Sequence, residues 1–415
     1  MKYMKCLKCF IKWIKLKLGV KPSYELKEVF TPNTSAEIAY IKRDKVERQI
    51  DRALDIAGKQ LVIFGHSGSG KTTVLNHMLE IKKIEKITSR CTKESTLDSI
   101  ILDAFDKLND YYVKSKGKSE KEQLNGELST SFSKVTAMKE SSINSEEQRV
   151  LPPQITPQRL AEAMGKRKVV WVIEDFHKVE PAEKTKISQV MKLFMDIAND
   201  YPNTKTIVLG AADKGYEVVN HEKELDNRVS EIEVPLLSSD EIQQLLCKGA
   251  DALNITFEGN IISQIEKYSN SLATIAHQIA YNLCSNNDVR TTQKKLVQIK
   301  EESLQMALDD FTSDKQDTYK ELYLRITKQR EGKYKNVEII LEAIANIEKK
   351  DITQHDILVE IQKVYKDYPA GNLNIYLKKL VGVEGEEVLR NNAGRYSFSD
   401  LFFETYIKML KAKSN

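Results

Sequence analysis

The stretch FGHSGSGKTTVL, residues 64 to 75, gathers small residues ahead of a lysine and two hydroxyls. Gly65, Gly70, Lys71 and Thr72 satisfy the spacing G-x-x-x-x-G-K-[ST], a phosphate-binding arrangement when a strand precedes it and a helix follows. The apolar run Leu61 to Phe64 and the helix-compatible run Val74 to Ile81 supply that context. Glycine lets the backbone adopt conformations that a side chain forbids. The N–H groups of the loop, through Gly65, Ser67, Gly68, Ser69 and Gly70, can therefore converge on phosphate oxygens at the positive end of the next helix. Lys71 then reaches the β- and γ-phosphates, Thr72 offers a hydroxyl to Mg²⁺, and Thr73 stands behind it. An ordinary Gly- and Ser-rich turn is the plain alternative, and the order strand, loop, helix argues against it. His66 reads as loop filler.

A second chemical signal is KVVWVIEDFHK, an apolar strand that ends in two carboxylates, Glu174 and Asp175. Adjacent acids after a buried strand are costly unless a cation or a donor meets them. In phosphoryl-transfer sites such acids hold the Mg²⁺ shell and orient the attacking water. The alternative is that they cap the helix that starts after Pro181. No N-K-x-D guanine reader follows a strand, so ATP is favoured over GTP.

The elements that must position these groups alternate strand and helix after residue 25, which argues a parallel sheet with helices on both faces. Helix Arg43–Ala57 precedes strand Leu61–Phe64, and a strand near Ile87–Ser89 precedes helix Thr96–Leu108. Residues 113 to 150, rich in Ser, Lys and Glu, interrupt the pattern as an insertion. Thr156 and Pro157 restart it as N-cap and first helical residue. Strand TKTIVLG and strand Glu231–Val234 follow, then a helix capped by Ser238 or Ser239, with helical periodicity onward to Cys284. The expected organisation is a basic N-terminal helix (1–24), an ATPase core (25–236), a helical lid (237–284), a charged helical connector (285–332) and a C-terminal module (333–415).

The 415 residues, 41% hydrophobic and 30% charged, have the balance of a folded protein with two or three domains. Five scattered cysteines suit a reducing cytoplasm better than a disulfide framework, and Cys6 and Cys9 form a lone C-x-x-C. The first 24 residues hold seven lysines and no acid, so of the formal +4 the remaining residues carry −3. The folded body therefore lacks the basic footprint of a general nucleic-acid binder. Lys2, Lys5, Lys8, Lys12 and Lys15 share one helical face, with Phe10, Ile11, Trp13 and Ile14 among the apolar remainder. Residues 1–21 thus suit an anionic membrane surface, a partner, or their own protein, and cannot span a bilayer. The chain is expected in the cytoplasm, either free or peripheral on the inner face of the membrane.

GHSGSGKTT, VVWVIEDFH and LDNRVSEIEVPLLSSDEI together resemble the AAA+ ATPases, in the branch shared by origin-recognition ATPases, transposition ATPases and STAND-type signalling NTPases. The resemblance covers roughly residues 28 to 284. It implies an α/β fold with a parallel-sheet P-loop NTPase core and helical lid, with ATP and Mg²⁺ as ligands. Lys71 and Thr72 become the Walker A residues and Glu174 with Asp175 the Walker B pair. The family more often places Asp first, and either carboxylate here fits the metal role while the other activates water. Arg228 sits where relatives place an arginine finger, or pairs with Asp226, Glu224 or Glu231. Ala211 and Ala212 stand where a polar sensor 1 is usual, which implies slow or conditional hydrolysis. YSNSLATIAHQIA lacks a sensor 2 arginine; His277 is the nearest polar residue, and a lone His on an apolar helical face reads as core packing. FTPNTSAEIAYIKRDKVERQI resembles the nucleotide-gripping entry segment, with Tyr40 or Ile41 on the adenine and Arg43 at the mouth.

Residues 334 to 412 read as helices Val337–Ile347, Thr353–Tyr365 and Leu373–Val381, then a hairpin turned by Asn391–Gly394. This plan resembles a C-terminal winged-helix domain, in which Lys378, Lys379, Arg390 and Arg395 would touch DNA phosphates. Glu384, Glu386 and Glu387 dilute that patch, so a protein or autoinhibitory contact stands equally beside DNA. Two functions follow from the resemblance. One is a nucleotide-driven switch that homo-oligomerises and controls a protein effector, of the kind used in bacterial antiphage defence. The other is a DNA-gripping initiator or transposition regulator that uses residues 333–415. A small-molecule kinase is the weaker third.

Overall fold

The computed structural model describes residues 22–108, 155–211, 228–314, 316–328, 334–349, 351–382 and 387–414. The basic segment 1–21, the insertion 113–150, Ala212, Asp213, Glu224, Asp226, Glu384 and Glu386 lie outside the described residues. The described chain forms two compact units, one of Asp44–Gly65 and Met78–Glu233, the other of the remaining residues.

In the first unit, α1 (Asp44–Asp55) buries Val46, Ile50, Ala53 and Leu54, the stripe of an amphipathic helix. Strand β1 (Gln60–Phe64) follows. After Gly65 the chain belongs to the second unit, and it re-enters the first within α2 (Lys71–Ile81). Next come β2 (Glu85–Arg90) and α3 (Leu97–Lys107), whose N-cap Thr96 accepts from Ser99 N–H. Helix α4 (Pro157–Arg167) begins as its sequence requires, with Thr156 accepting from Arg159 N–H and Pro157 in the first turn. Strand β3 (Val169–Glu174), helix α5 (Pro181–Asp196), β4 (Thr206–Gly210) and β5 (Val229–Glu233) complete the unit.

The five strands pair in parallel in the order β2-β3-β4-β1-β5. A parallel sheet is covered on both faces, which is why β3 reads as an unbroken apolar run. Trp171 is fully buried there, and its Nε1–H donates to Ser89 Oγ at 3.1 Å. At the amino edge, buried Gln60 accepts Thr206 N–H through Oε1 at 2.6 Å. Lys205 Nζ donates to the Ile56 carbonyl at 2.5 Å, and burial pushes this amine down to about 8. These contacts tie β1 and β4 together at the amino edge of the sheet.

In the second unit, a short helix Leu26–Val29 precedes α6 (Ser239–Leu253) in the chain. Ser238 and Glu241 cap α6 reciprocally, as a capping box. The expectation of continuous helix to Cys284 is corrected here. Asn254 turns left-handed (φ 56°) and ends α6, and the β-branched pair Ile255–Thr256 then opens β6 (Ile255–Phe257). Helices α7 (Ile261–Ser269) and α8 (Ala273–Asn286) follow. β6 pairs in parallel with β7 (Val297–Ile299), so the supposed helical connector begins with a strand before α9 (Leu304–Asp314) and α10 (Glu321–Thr327).

The C-terminal part comprises α11 (Asn336–Asn346), β8 (Ile352–Thr353), α12 (Gln354–Val364) capped by Thr353, and α13 (Ala370–Leu380). Strands β9 (Leu389–Asn392) and β10 (Arg395–Phe398) follow, then α14 (Leu401–Ser414). The strands form an antiparallel sheet ordered β8-β10-β9. Ala393 and Gly394 both take positive φ (53° and 84°), and Asn391 Oδ1 accepts Gly394 N–H, as a tight hairpin turn demands. Helix α14 belongs to two cores: Met409 joins the cluster built by α6 to α9, whereas Phe403, Tyr406 and Ile407 join the one built by α11 to α13.

Candidate functional site

The loop after β1 takes the backbone its sequence foretells: Gly65, Gly68 and Gly70 have φ of 138°, 76° and 90°. A Cβ added to Gly70 would meet nothing within 4 Å, whereas one on Gly68 would lie 3.1 Å from Phe402 Cζ and 3.2 Å from Thr274 Oγ1. Gly70 thus opens to space and Gly68 is a close approach. Helix α2 starts at Lys71, whose Nζ donates to the His66 carbonyl at 2.7 Å. The acceptor is the backbone carbonyl at position 66, so this bond asks nothing of the imidazole.

An open cavity adjoins the loop, and its 510 Å³ or so of empty space includes open solvent. Gly68, Ser69, Gly70 and Thr73 line one side of it, and Thr31, Pro32, Tyr40, Ile41, Arg43, Leu237, Thr274 and His277 line others. Of the residues expected to grip a nucleotide, Tyr40, Arg43, Gly68, Ser69, Gly70 and Thr73 are brought together. Ser67, Lys71 and Thr72 are their chain neighbours and do not line this cavity. The Ser69 and Thr31 hydroxyls are buried and make no hydrogen bond among the described residues, although both belong to the cavity wall. Buried hydroxyls in that condition suit a polar ligand. Tyr40 packs its ring on His77 with centroids 4.2 Å apart.

Two residues depart from their sequence reading. Arg43 is not exposed at a mouth. It is 8% accessible and donates to the carbonyls of Ser69 (3.1 Å), Pro235 (2.6 Å) and Leu236 (3.1 Å). Desolvation lowers its pKa, with Glu241 acting the other way. His277 is buried as core packing requires, yet it also lines the cavity. Its Nδ1 accepts Thr31 N–H at 3.2 Å, which leaves the ring proton on Nε2, and burial pushes the imidazole down to about 4. The neutral form is thus fixed in one tautomer.

In the first unit, Glu174 closes β3 and Asp175 follows in left-handed backbone (φ 59°). The two carboxylates diverge. Glu174, with its side chain 14% accessible, meets Arg90 Nε at 3.3 Å; Asp175, 48% accessible, meets Lys178 Nζ at 2.9 Å. With only β4 between β3 and β1, Glu174 and Gly65 leave the same carboxyl edge of the parallel sheet. Such edges are where ligands of open α/β sheets bind. Beyond β4, Ala211 N–H donates to His177 Nδ1 at 3.1 Å. Arg228 pairs with Asp196 at 3.1 Å, a partner that sequence proximity did not suggest.

In the C-terminal part, Lys378 and Lys379 lie exposed in the last turn of α13, and Lys379 Nζ sits 5.1 Å from the Tyr376 ring centroid. Arg390 and Arg395 stand on the two strands of the hairpin, and Arg395 pairs with Asp351 at 3.3 Å. Among the described residues no helix is long and apolar enough to cross a membrane.

Residues 57–213 match the family described as AAA domain. No curated protein matches the chain by sequence. Among solved structures, the Walker-type ATPase PABY2304 of Pyrococcus abyssi is similar over 89% of this chain and 96% of its own, at 13% identity and a TM-score of 0.50. Cdc6p of Pyrobaculum aerophilum matches over 94% and 99% at 15% identity (TM-score 0.45). The Aeropyrum pernix ORC2 protein, solved in ADPNP–ADP complexes, matches over 94% and 98% at 12% identity (TM-score 0.48). The domain match over residues 57–213 and the five-stranded parallel sheet fit an α/β core of the P-loop NTPase fold.

Proposed function

We propose that the chain binds and hydrolyses ATP and uses the nucleotide state as a switch, in homo-oligomers that regulate a protein effector. The observation that carries the nucleotide reading is the cavity beside the glycine loop, with its open Gly70 face and two buried, unpartnered hydroxyls. In this reading the amides of Gly65 to Gly70 cradle the phosphates and Lys71 moves from the His66 carbonyl to the β- and γ-oxygens. Tyr40 and Arg43 belong to the base and ribose side. Thr72, with Glu174 or Asp175, would hold Mg²⁺, which supplies charge neutralisation at the transferring phosphate.

Glu174 lies largely buried beside Arg90, and Asp175 lies partly exposed beside Lys178. Either acid can serve the metal shell while the other orients the attacking water. Arg228 would act as a finger toward a γ-phosphate after release from Asp196, an exposed pair that costs little to break. A role in bacterial antiphage defence is the biological setting we favour, with the basic segment 1–21 on an anionic membrane surface or on the effector.

The second reading is a DNA-handling ATPase. It is favoured by helices α11 to α13 and the three-stranded sheet β8-β10-β9, which resemble a winged helix, with Lys378, Lys379, Arg390 and Arg395 as phosphate contacts. Phosphate release decides the enzyme question: wild type should turn over ATP with Mg²⁺, Lys71→Ala should not, and Glu174→Gln should keep binding while losing turnover. Salt-dependent duplex binding that vanishes on neutralising Lys378, Lys379 and Arg395 would favour the second reading over the first.

A further inference from the structure

A guanidinium seldom lies buried without strong partners, because desolvating a charge is costly. Arg43 has them in two distant stretches of sequence: the Ser69 carbonyl inside the glycine loop, 26 residues on, and the Pro235 and Leu236 carbonyls, more than 190 residues on. Glu241, in the first turn of α6, stands 3.8 Å from Nε. One planar fork therefore joins the loop to the segment that leads into α6. Lysine cannot reproduce this, since a single ammonium lacks the fixed spread of Nη1 and Nη2. Ser69 and Leu237, which flank these bonds, both line the cavity, as does Arg43 itself.

We propose that Arg43 is a positioning residue of the nucleotide site: it sets the glycine loop and the start of α6 in register, so that a change at the loop is felt at residues 235–241 and the reverse. This rests on the reading of the cavity as a nucleotide site. The reciprocity is required by linkage, because any ligand that depends on the loop's clamped shape must in turn stabilise the clamp.

The test uses the full chain with Arg43→Lys, Arg43→Met, Arg43→Ala and Glu241→Gln. In ligand-free protein, hydrogen exchange at residues 66–70 and 235–241 should quicken together in Arg43→Met, partly in Arg43→Lys and little in Glu241→Gln. With a fluorescent ADP as probe, Arg43→Met should release nucleotide about tenfold faster than wild type, the order of one lost charge-assisted hydrogen bond. Methylguanidinium at non-denaturing concentration should slow release from Arg43→Ala and leave wild type unchanged. Exchange that quickens in only one of the two segments, or evenly through the whole unit, overturns the proposal. So does nucleotide release from Arg43→Met at the wild-type rate. Should wild type bind no nucleotide, the cavity reading falls, and the exchange measurement still decides the role of Arg43.

Discussion

Gly68 and Gly70 make an internal control, since both need a positive φ yet only one is crowded. Alanine at either position must hold left-handed backbone, at a cost of about 1–2 kcal/mol. At Gly70 that is the whole cost, because its Cβ would meet nothing within 4 Å. At Gly68 the new methyl would stand 3.1 Å from Phe402 Cζ and 3.2 Å from Thr274 Oγ1, so the neighbours must give way. Overpacking of this kind adds about 1–3 kcal/mol. Gly68→Ala should therefore lower unfolding stability by about 1–3 kcal/mol more than Gly70→Ala, measured by urea denaturation without nucleotide. Phe402→Ala should recover part of the difference, and the double-mutant cycle should give a favourable coupling of about 1 kcal/mol. Equal costs at the two glycines, or strict additivity of Gly68→Ala with Phe402→Ala, would refute the assigned contact between α14 and the loop.

Four further outcomes are expected. Because His277 sits at about 4 when folded and near 6.5 unfolded, the unfolded chain binds more protons between those values, and this contribution, about 3 kcal/mol, is complete above pH 6.5 and lost as pH falls toward 4; His277→Gln should flatten that slope in pH-dependent denaturation. Trp171→Phe, which leaves Ser89 Oγ without the indole donor inside the sheet, should cost about 1–3 kcal/mol by the same assay. Mixing Arg228→Ala with Glu174→Gln protein should restore part of the ATPase activity in confirmed oligomers if the arginine acts across subunits, and Asp196→Ala alone should raise activity modestly. Gly249→Ala, whose methyl would lie 2.3 Å from Phe30 Cζ, should destabilise by several kcal/mol and lower the thermal midpoint.

What the sequence disclosed was local. The glycine loop, the Thr156 and Pro157 helix start, the Ser238 and Thr353 caps and the Asn391–Gly394 hairpin are each written within a few residues, and a short-range hydrogen bond fixes each one. What stayed hidden was long-range. The bond from Thr31 N–H to His277 Nδ1 spans 246 residues, and the β6–β7 pairing joins two three-residue strands too short to show a period. Arg43 read as a residue at a mouth because a charged side chain in an entry segment is usually solvated, and its three carbonyl partners lie outside its own sequence neighbourhood. Arg228 had nearby acids in sequence, and the pair it makes among the described residues, with Asp196 at the end of α5, lay beyond them. The acid pair was legible as a pair, but only the sheet order revealed Arg90 beside Glu174, since β2 lies next to β3.

Titration calorimetry of ATP into the full chain, with and without Mg²⁺, tests the central claim most directly. The account predicts one magnesium-dependent site per chain, preserved in Glu174→Gln and lost in Lys71→Ala. No heat of binding with any adenine nucleotide, or equal binding by Lys71→Ala, would contradict it.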